Sequence, residues 1–264
     1  MLFLLKIAIT PLLVAGVSLA ARWWGPTIGG LVMGLPWFTG PAMFLLTYER
    51  DVAFGVAAFI GVELAVLCVC AFILAYGFLV RHVRWPAALA SAVGAFFASG
   101  WLMQQVAIHL IPAAGSWQLA VAAGIGFTSL LATYMLLPRP ISPPVPQTLP
   151  WWDIPMRMLA TGSLVATIVI AADALGPQLS GILGTYPVIL TVVCSFTHQS
   201  WGSDAVLRLV RGVTLSLFSF VVFFLIVGTS LPMIGLPWSY AAAIVVAVSM
   251  TGCMLAINRA RGAR

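Results

Sequence analysis

Charge is what this chain has least of. Only 7% of its 264 residues are Asp, Glu, Lys or Arg, while 62% are hydrophobic and mean hydropathy is +1.11. Such a composition excludes a soluble globular domain and a disordered one alike. Six acidic residues against twelve basic ones leave a net charge of +6. The basic residues stand in ones and twos, without a basic run or an aromatic-interleaved stripe, so nucleic acid is not an expected partner. Cysteine is equally scarce. Cys68, Cys70, Cys194 and Cys253 all fall in apolar runs with no His or carboxylate at ligand spacing, which points to packing and to no metal and no cofactor. A Walker loop, HExxH, CxxC and paired carboxylates are missing, no GxSxG has a plausible strand and turn around it, and "GIGFTSL" at 124 to 130 lacks the third glycine of GxGxxG. The chain is not expected to be an enzyme.

Nine apolar runs fill the space these absences leave, near 2 to 20, 26 to 48, 52 to 80, 86 to 110, 116 to 137, 154 to 175, 178 to 200, 204 to 231 and 237 to 258. Each is long enough to cross a hydrocarbon core of roughly 30 Å. The first has neither a charged leader nor a small-residue cleavage motif and reads as a retained span. The longest loop, "PRPISPPVPQTLP" at 138 to 150, is a stiff proline-rich connector. Nine crossings put Arg22, Arg81, Arg84, Arg139, Arg157, Arg208, Arg211, Arg259, Arg261 and Arg264 on one side of the membrane and only Lys6 and Arg50 on the other. By the positive-inside rule the N-terminus lies outside and the C-terminus in the cytoplasm. Most tryptophans fall near run ends, as the headgroup region favours; Trp37 and Trp101 are the exceptions.

One run is full of helix breakers. "GPTIGGLVMGLPWFTGP" at 25 to 41 holds five glycines and three prolines. A shift of 151 residues lays its first part on "GPQLSGILGTYP" at 176 to 187, pairing Gly25, Pro26, Gly30 and Pro36 with Gly176, Pro177, Gly181 and Pro187. At that shift, residues 6 to 110 match 157 to 261 at twenty positions, where composition alone gives about nine or ten. Each repeat holds four spans and the fifth run lies between them, so the second repeat starts on the opposite side. The expected fold is an all-α integral membrane protein of nine transmembrane helices. Two inverted four-helix repeats, 1–112 and 151–264, are joined by a linker helix and a proline-rich cytoplasmic loop at 113–150, and helices 2 and 7 are discontinuous. Paired breaks in the two halves of such a chain point to a transporter site; the plainer alternative is close helix packing with a kink.

The segments "MLFLLKIAI", "GGLVMGLPWFTGPAMFLLTYERDVAF" and "RWPAALASAVGAFFASGWL", which cover most of residues 1 to 104, resemble the GlpM-type small inner-membrane proteins. In that family a chain is roughly one four-span unit, so this chain looks like a duplicated, inverted version. The resemblance implies a multi-pass protein of the inner (plasma) membrane and brings no reaction or site residue with it.

The expected substrate site is therefore Gly34, Pro36, Trp37, Thr39, Gly40 and Pro41 from the first break, with Thr185, Tyr186, Pro187 and Thr191 from the second. Glu63, about eleven residues into the third run, lies near the bilayer centre, where an isolated carboxylate is protonated or paired. It is the expected coupling group, against a purely structural carboxyl. Lys6 and Arg157 could draw an anion toward each half, or simply snorkel to the headgroups. His109 and His198 are weaker proton-handling candidates, and Gln104, Gln105, Ser195 and Thr197 are more often polar glue between helices. The function these features suggest is secondary transport of a small solute by alternating access. Helix N-termini at the breaks tilt the solute toward a small organic anion, and Glu63 suggests proton coupling. The alternative is a non-transporting subunit of an envelope lipid or polysaccharide assembly. Expected partners are the lipid bilayer, a small-molecule solute and, as a candidate, a second copy of the chain.

Overall fold

In a computed structural model the backbone is described for residues 2–37, 39–142 and 150–262, and side chains for 10–37, 39–142, 150–168, 170 and 185–257. Ten α-helices and no strands appear among the described residues: α1 Leu2–Trp24, α2 Pro26–Met33, α3 Thr39–Glu49, α4 Val52–Leu79, α5 Trp85–Gln105, α6 Gln118–Leu136, α7 Asp153–Gly184, α8 Val188–Trp201, α9 Ser203–Ile234 and α10 Leu236–Gly262. A π-helical turn at Val106–Leu110 and a 3₁₀ turn at Pro112–Trp117 connect α5 to α6. Five stretches, Val52–Leu79, Trp85–Leu110, Pro112–Leu136, Ser203–Ile234 and Leu236–Ile257, are long and apolar enough to cross a membrane. In lipid the helix is the natural state of such runs, because it satisfies every interior backbone group within the segment.

The second run is divided as its breakers predict. Pro26 opens α2, where a missing N–H is harmless, and Gly25, at φ 91°, turns the chain back so that α2 packs along α1. The sequence also places a turn at 175 to 178, where Gly176 and Pro177 repeat this dipeptide. There the backbone stays helical through to Gly184, so the second half differs from the first. The same Gly-Pro pair thus turns the chain in one half and continues a helix in the other.

Helices α4 and α9 form the centre of the bundle. Helix α6 packs on both, α1 packs on α7, and α2 lies across α9. The α2–α9 crossing is close enough that a methyl on Gly30 would run into the carbonyl oxygen of Leu209, and one on Gly212 into that of Thr27. Small residues allow backbones to approach this way in a membrane, where dispersion rather than water expulsion drives packing. Gly61, which stands 151 residues before Gly212, has open space around it. Other packings are reciprocal: α5 lies on α4 as α10 lies on α9, and α5 meets α8 as α10 meets α3.

One end of the bundle gathers arginines. Arg81 pairs with Asp204 at 2.6 Å and donates to the carbonyl of Arg139 at 2.8 Å. The amides of Ile141 and Ser142 donate to Asp204 at 3.1 and 2.6 Å. Arg208 donates to the carbonyl of Ser142, while Arg211 donates to that of Leu137 at 2.9 Å and lies over the Tyr134 ring. The start of α9 and the chain leaving α6 are thereby clasped together. Lys6, Asp173 and the C-terminal arginines lie outside the described side chains.

Candidate functional site

Both breaks are built the same way. In the first, Trp37 N–H donates to Leu35 O at 2.8 Å around Pro36, and Gly40 N–H then donates to Pro36 O at 2.9 Å. In the second, Val188 N–H donates to Tyr186 O at 2.9 Å around Pro187, and Thr191 N–H donates to Pro187 O at 2.9 Å. Every donor and acceptor in the second set stands 151 residues after its counterpart. Pro187, at φ −81° and ψ 69°, has the geometry of an inverse γ-turn. The ring fixes φ and removes the N–H, so one helix ends and another starts within a few residues. At the first break Trp37 Nε1 donates to Val32 O at 2.9 Å, occupying one of the carbonyls that the end of α2 leaves without an intrahelical donor. At the second, Thr191 Oγ1 donates to the Tyr186 hydroxyl at 2.9 Å.

The two breaks face one cavity of about 390 Å³. Gly34, Leu35, Trp37 and Thr39 line it from the first break, and Thr185, Tyr186, Pro187, Val188, Ile189 and Leu190 from the second. Its remaining walls come from α1, α4, α7 and α9, with Met33 of α2 and Ala42 and Met43 of α3, and several pair across the shift of 151: Val17 with Ile168, Val62 with Val213, Val66 with Leu217 and Val69 with Phe220. Thr10, Trp37, Thr39, Thr185 and Tyr186 are its polar side chains; no charged side chain lines it among the described residues. The lining is thus more apolar than the sequence suggests. Polarity is added by backbone, because the first turns of α3 and α8 both border the cavity and the leading N–H groups of a helix lack intrahelical acceptors.

Six of the ten expected substrate residues therefore meet: Gly34, Trp37, Thr39, Thr185, Tyr186 and Pro187. Pro36 shapes the break without facing the cavity. Gly40 is buried beside Phe223, whose ring atoms lie 3.7 and 3.8 Å from where a Cβ would stand, and Pro41 is exposed. Thr191 lies behind Tyr186, in a second cavity between α5, α7 and α8. The apolar walls from α4 and α9 escaped the sequence reading, since valine and leucine carry no chemistry of their own. Their only signal was the offset, at which Val62 and Val213 are identical.

Glu63 is fully buried and neither carboxylate oxygen has a hydrogen-bond partner. It does not line the cavity, which takes Val62, Ala65, Val66 and Val69 from the same helix. Its Oε2 lies 3.6 Å from where a Cβ on Gly126 would sit, so the carboxyl faces α6. The breaks and Glu63 thus occupy different faces of α4.

Arg157 is buried and paired with Asp153 one turn earlier at 2.9 Å, and its guanidinium lies 5.2 Å from the centre of the Phe196 ring. Those contacts occupy the group that could otherwise draw in an anion. His198 Nδ1 lies 3.3 Å from the Tyr76 hydroxyl, joining α8 to α4, whereas His109 is exposed on the π-helical turn. Ser195 bonds its own helix at Thr191 O, and Gln104 and Gln105 line neither cavity. Among the described residues no cluster of metal-ligating side chains is found.

Fold and site together define an all-helical protein with five stretches long and apolar enough to cross a membrane and a cavity between two helix breaks. No family model, curated protein or solved structure matches the chain.

Proposed function

We propose that the protein is a secondary transporter that carries a small solute by alternating access, built as two inverted four-helix repeats around the linker helix α6. The observation that carries this reading is the shared geometry of the two breaks, each a proline-centred turn, at positions 151 residues apart and around one cavity. Irregular backbone at membrane depth is tolerable where it lines such a space, and broken helices meeting at a repeat interface are the usual site of a secondary transporter. A subunit that only packs in an assembly has no use for an unfilled interior between its breaks.

The walls narrow the solute class. An apolar surface with a few hydroxyls and, among the described residues, no charged side chain suits a small molecule with an apolar body and one polar end. The N-termini of α3 and α8 favour a negative charge at that end, so the favoured solute is a small organic anion such as a short-chain carboxylate. Glu63 is the candidate proton-coupling group and acts from across α4 rather than by touching solute. The arginine-rich end is cytoplasmic by the positive-inside rule, and the membrane is the inner one if the likeness to GlpM-type proteins holds.

Melting of the purified full chain in detergent tests the site. Across a series of short mono- and dicarboxylates at 100 times their Kd, a true ligand stabilises the folded state by about 2.7 kcal/mol. The melting temperature is expected to rise with carboxylate concentration in the wild type and to stay flat in Tyr186→Ala. A flat response to the whole series in the wild type contradicts the anion reading.

A further inference from the structure

The central cavity is continued by another. The second cavity, of about 610 Å³ between α5, α7 and α8, shares Ile168 and Tyr186 with the first. It extends from Tyr186 in the second break to Trp85, the first residue of α5, and to Gln199, two residues before the end of α8. Those helix ends belong to the end of the bundle where Arg81 holds Asp204. Apart from Trp85 and Tyr186, the polar side chains in its wall among the described residues all come from α8: Thr191, Ser195 and Gln199. Four-residue spacing sets them one above another on a single helix face, two hydroxyls and an amide against apolar residues of α5 and α7. Tyr186 stands where the two cavities meet. Its hydroxyl is held by Thr191, and its ring stacks on Phe97 at 6.1 Å and meets Phe96 edge-on at 5.3 Å.

In the other half, aromatic rings interlock at part of the corresponding place. A shift of 151 residues carries Leu89 of this second cavity to Tyr240, and carries Phe44 to Ser195. Phe44 and Tyr240 meet edge-on at 5.0 Å, and Phe223 packs on Tyr240 at 5.5 Å. Open space beside α8 is matched by interlocked rings beside α3.

We infer that the Thr191–Ser195–Gln199 stripe is the solute's route between the central cavity and the arginine-rich end, and that Tyr186 is the partition across it. The inference rests on the transport reading of the two breaks and assigns this structure to the state facing the arginine-rich end. The solute's polar end passes along the stripe while its apolar body slides on Leu89, Val93 and Leu164. The aromatic contact of Phe44 with Tyr240 closes the opposite route.

Single-cysteine labelling tests this in the full chain, reconstituted in liposomes after the four native cysteines are replaced by alanine. The probe is a charged, membrane-impermeant methanethiosulfonate, applied to the face at which Arg84→Cys reacts. Ser195→Cys and Gln199→Cys are expected to react from that face, and Phe44→Cys to stay unreactive. Thr39→Cys, in the central cavity, is expected to react slowly, at least roughly tenfold faster when combined with Tyr186→Ala, and at the slow rate when combined with Tyr186→Phe, which keeps the ring. An inert Ser195→Cys beside a reactive Gln199→Cys would mean a groove filled by lipid tails and would overturn the route. An unchanged Thr39→Cys rate in Tyr186→Ala would overturn the partition. Because labelling needs no solute, a failure here is distinct from a failure of transport, which melting and uptake read separately.

Discussion

Asp153 and Arg157 are both nearly inaccessible and bonded only one helical turn apart. Removing one partner leaves a buried charge without compensation, a loss of about 3–5 kcal/mol, whereas exchanging both for apolar residues of similar volume is nearly neutral. Asp153→Ala is therefore expected to lower the melting temperature sharply, and the double variant Asp153→Leu/Arg157→Met to restore most of it; equal losses in both would contradict the pairing argument. Glu63 raises a different question, because its depth was legible from position in the third run while its direction was not. One residue along a helix is a rotation of about 100°, enough to send Val62 to the cavity and Glu63 toward Gly126. If the carboxyl couples protons from there, Glu63→Gln reduces proton-driven uptake about tenfold or more and flattens its pH dependence, while stability holds because a neutral amide of the same size takes the carboxyl's place. Unchanged uptake and pH dependence in Glu63→Gln would remove the coupling role.

The helix breaks were legible because proline acts locally, removing an N–H and fixing φ, and at Pro36 and Pro187 the helices are interrupted, whereas Pro11 and Pro232 lie inside α1 and α9. Gly25-Pro26 and Gly176-Pro177 were not distinguishable by the same logic. A turn there depends on whether the glycine takes a left-handed φ, as Gly25 does, and neighbouring packing decides that. The helix crossing of α2 on α9 was also silent in sequence, since Gly30 and Gly212 look like many other membrane glycines. Gly212→Ala is expected to cost about 3 kcal/mol or more, because backbone atoms of α2 cannot give way to a methyl. Gly61→Ala meets only open space and is expected to keep the unfolding free energy within about 1 kcal/mol of wild type. If the halves exchange conformations, Gly61 takes the close crossing in the opposite state, so Gly61→Ala loses uptake without losing stability. Full uptake by a stable Gly61→Ala would argue against that exchange.

For the molecule as a whole, the apolar composition, the helices and the gathering of arginines at one end follow from the residues directly. The cavity does not, because its walls are mostly valine, leucine and isoleucine, which look the same whether they face lipid, another helix or a solute. Only the paired breaks and the offset of 151 singled out its location. The central claim is that these breaks form one solute site reached alternately from either side. Uptake of labelled short-chain carboxylates by proteoliposomes bearing the full chain tests it most directly, compared with Pro36→Ala and Pro187→Ala variants that let each broken span continue as helix. The account predicts saturable uptake by the wild type above protein-free liposomes, and a loss of about tenfold or more in either proline variant while its melting temperature is kept. Saturable uptake undiminished in both folded proline variants, or none by the folded wild type for any carboxylate in the series, would contradict it.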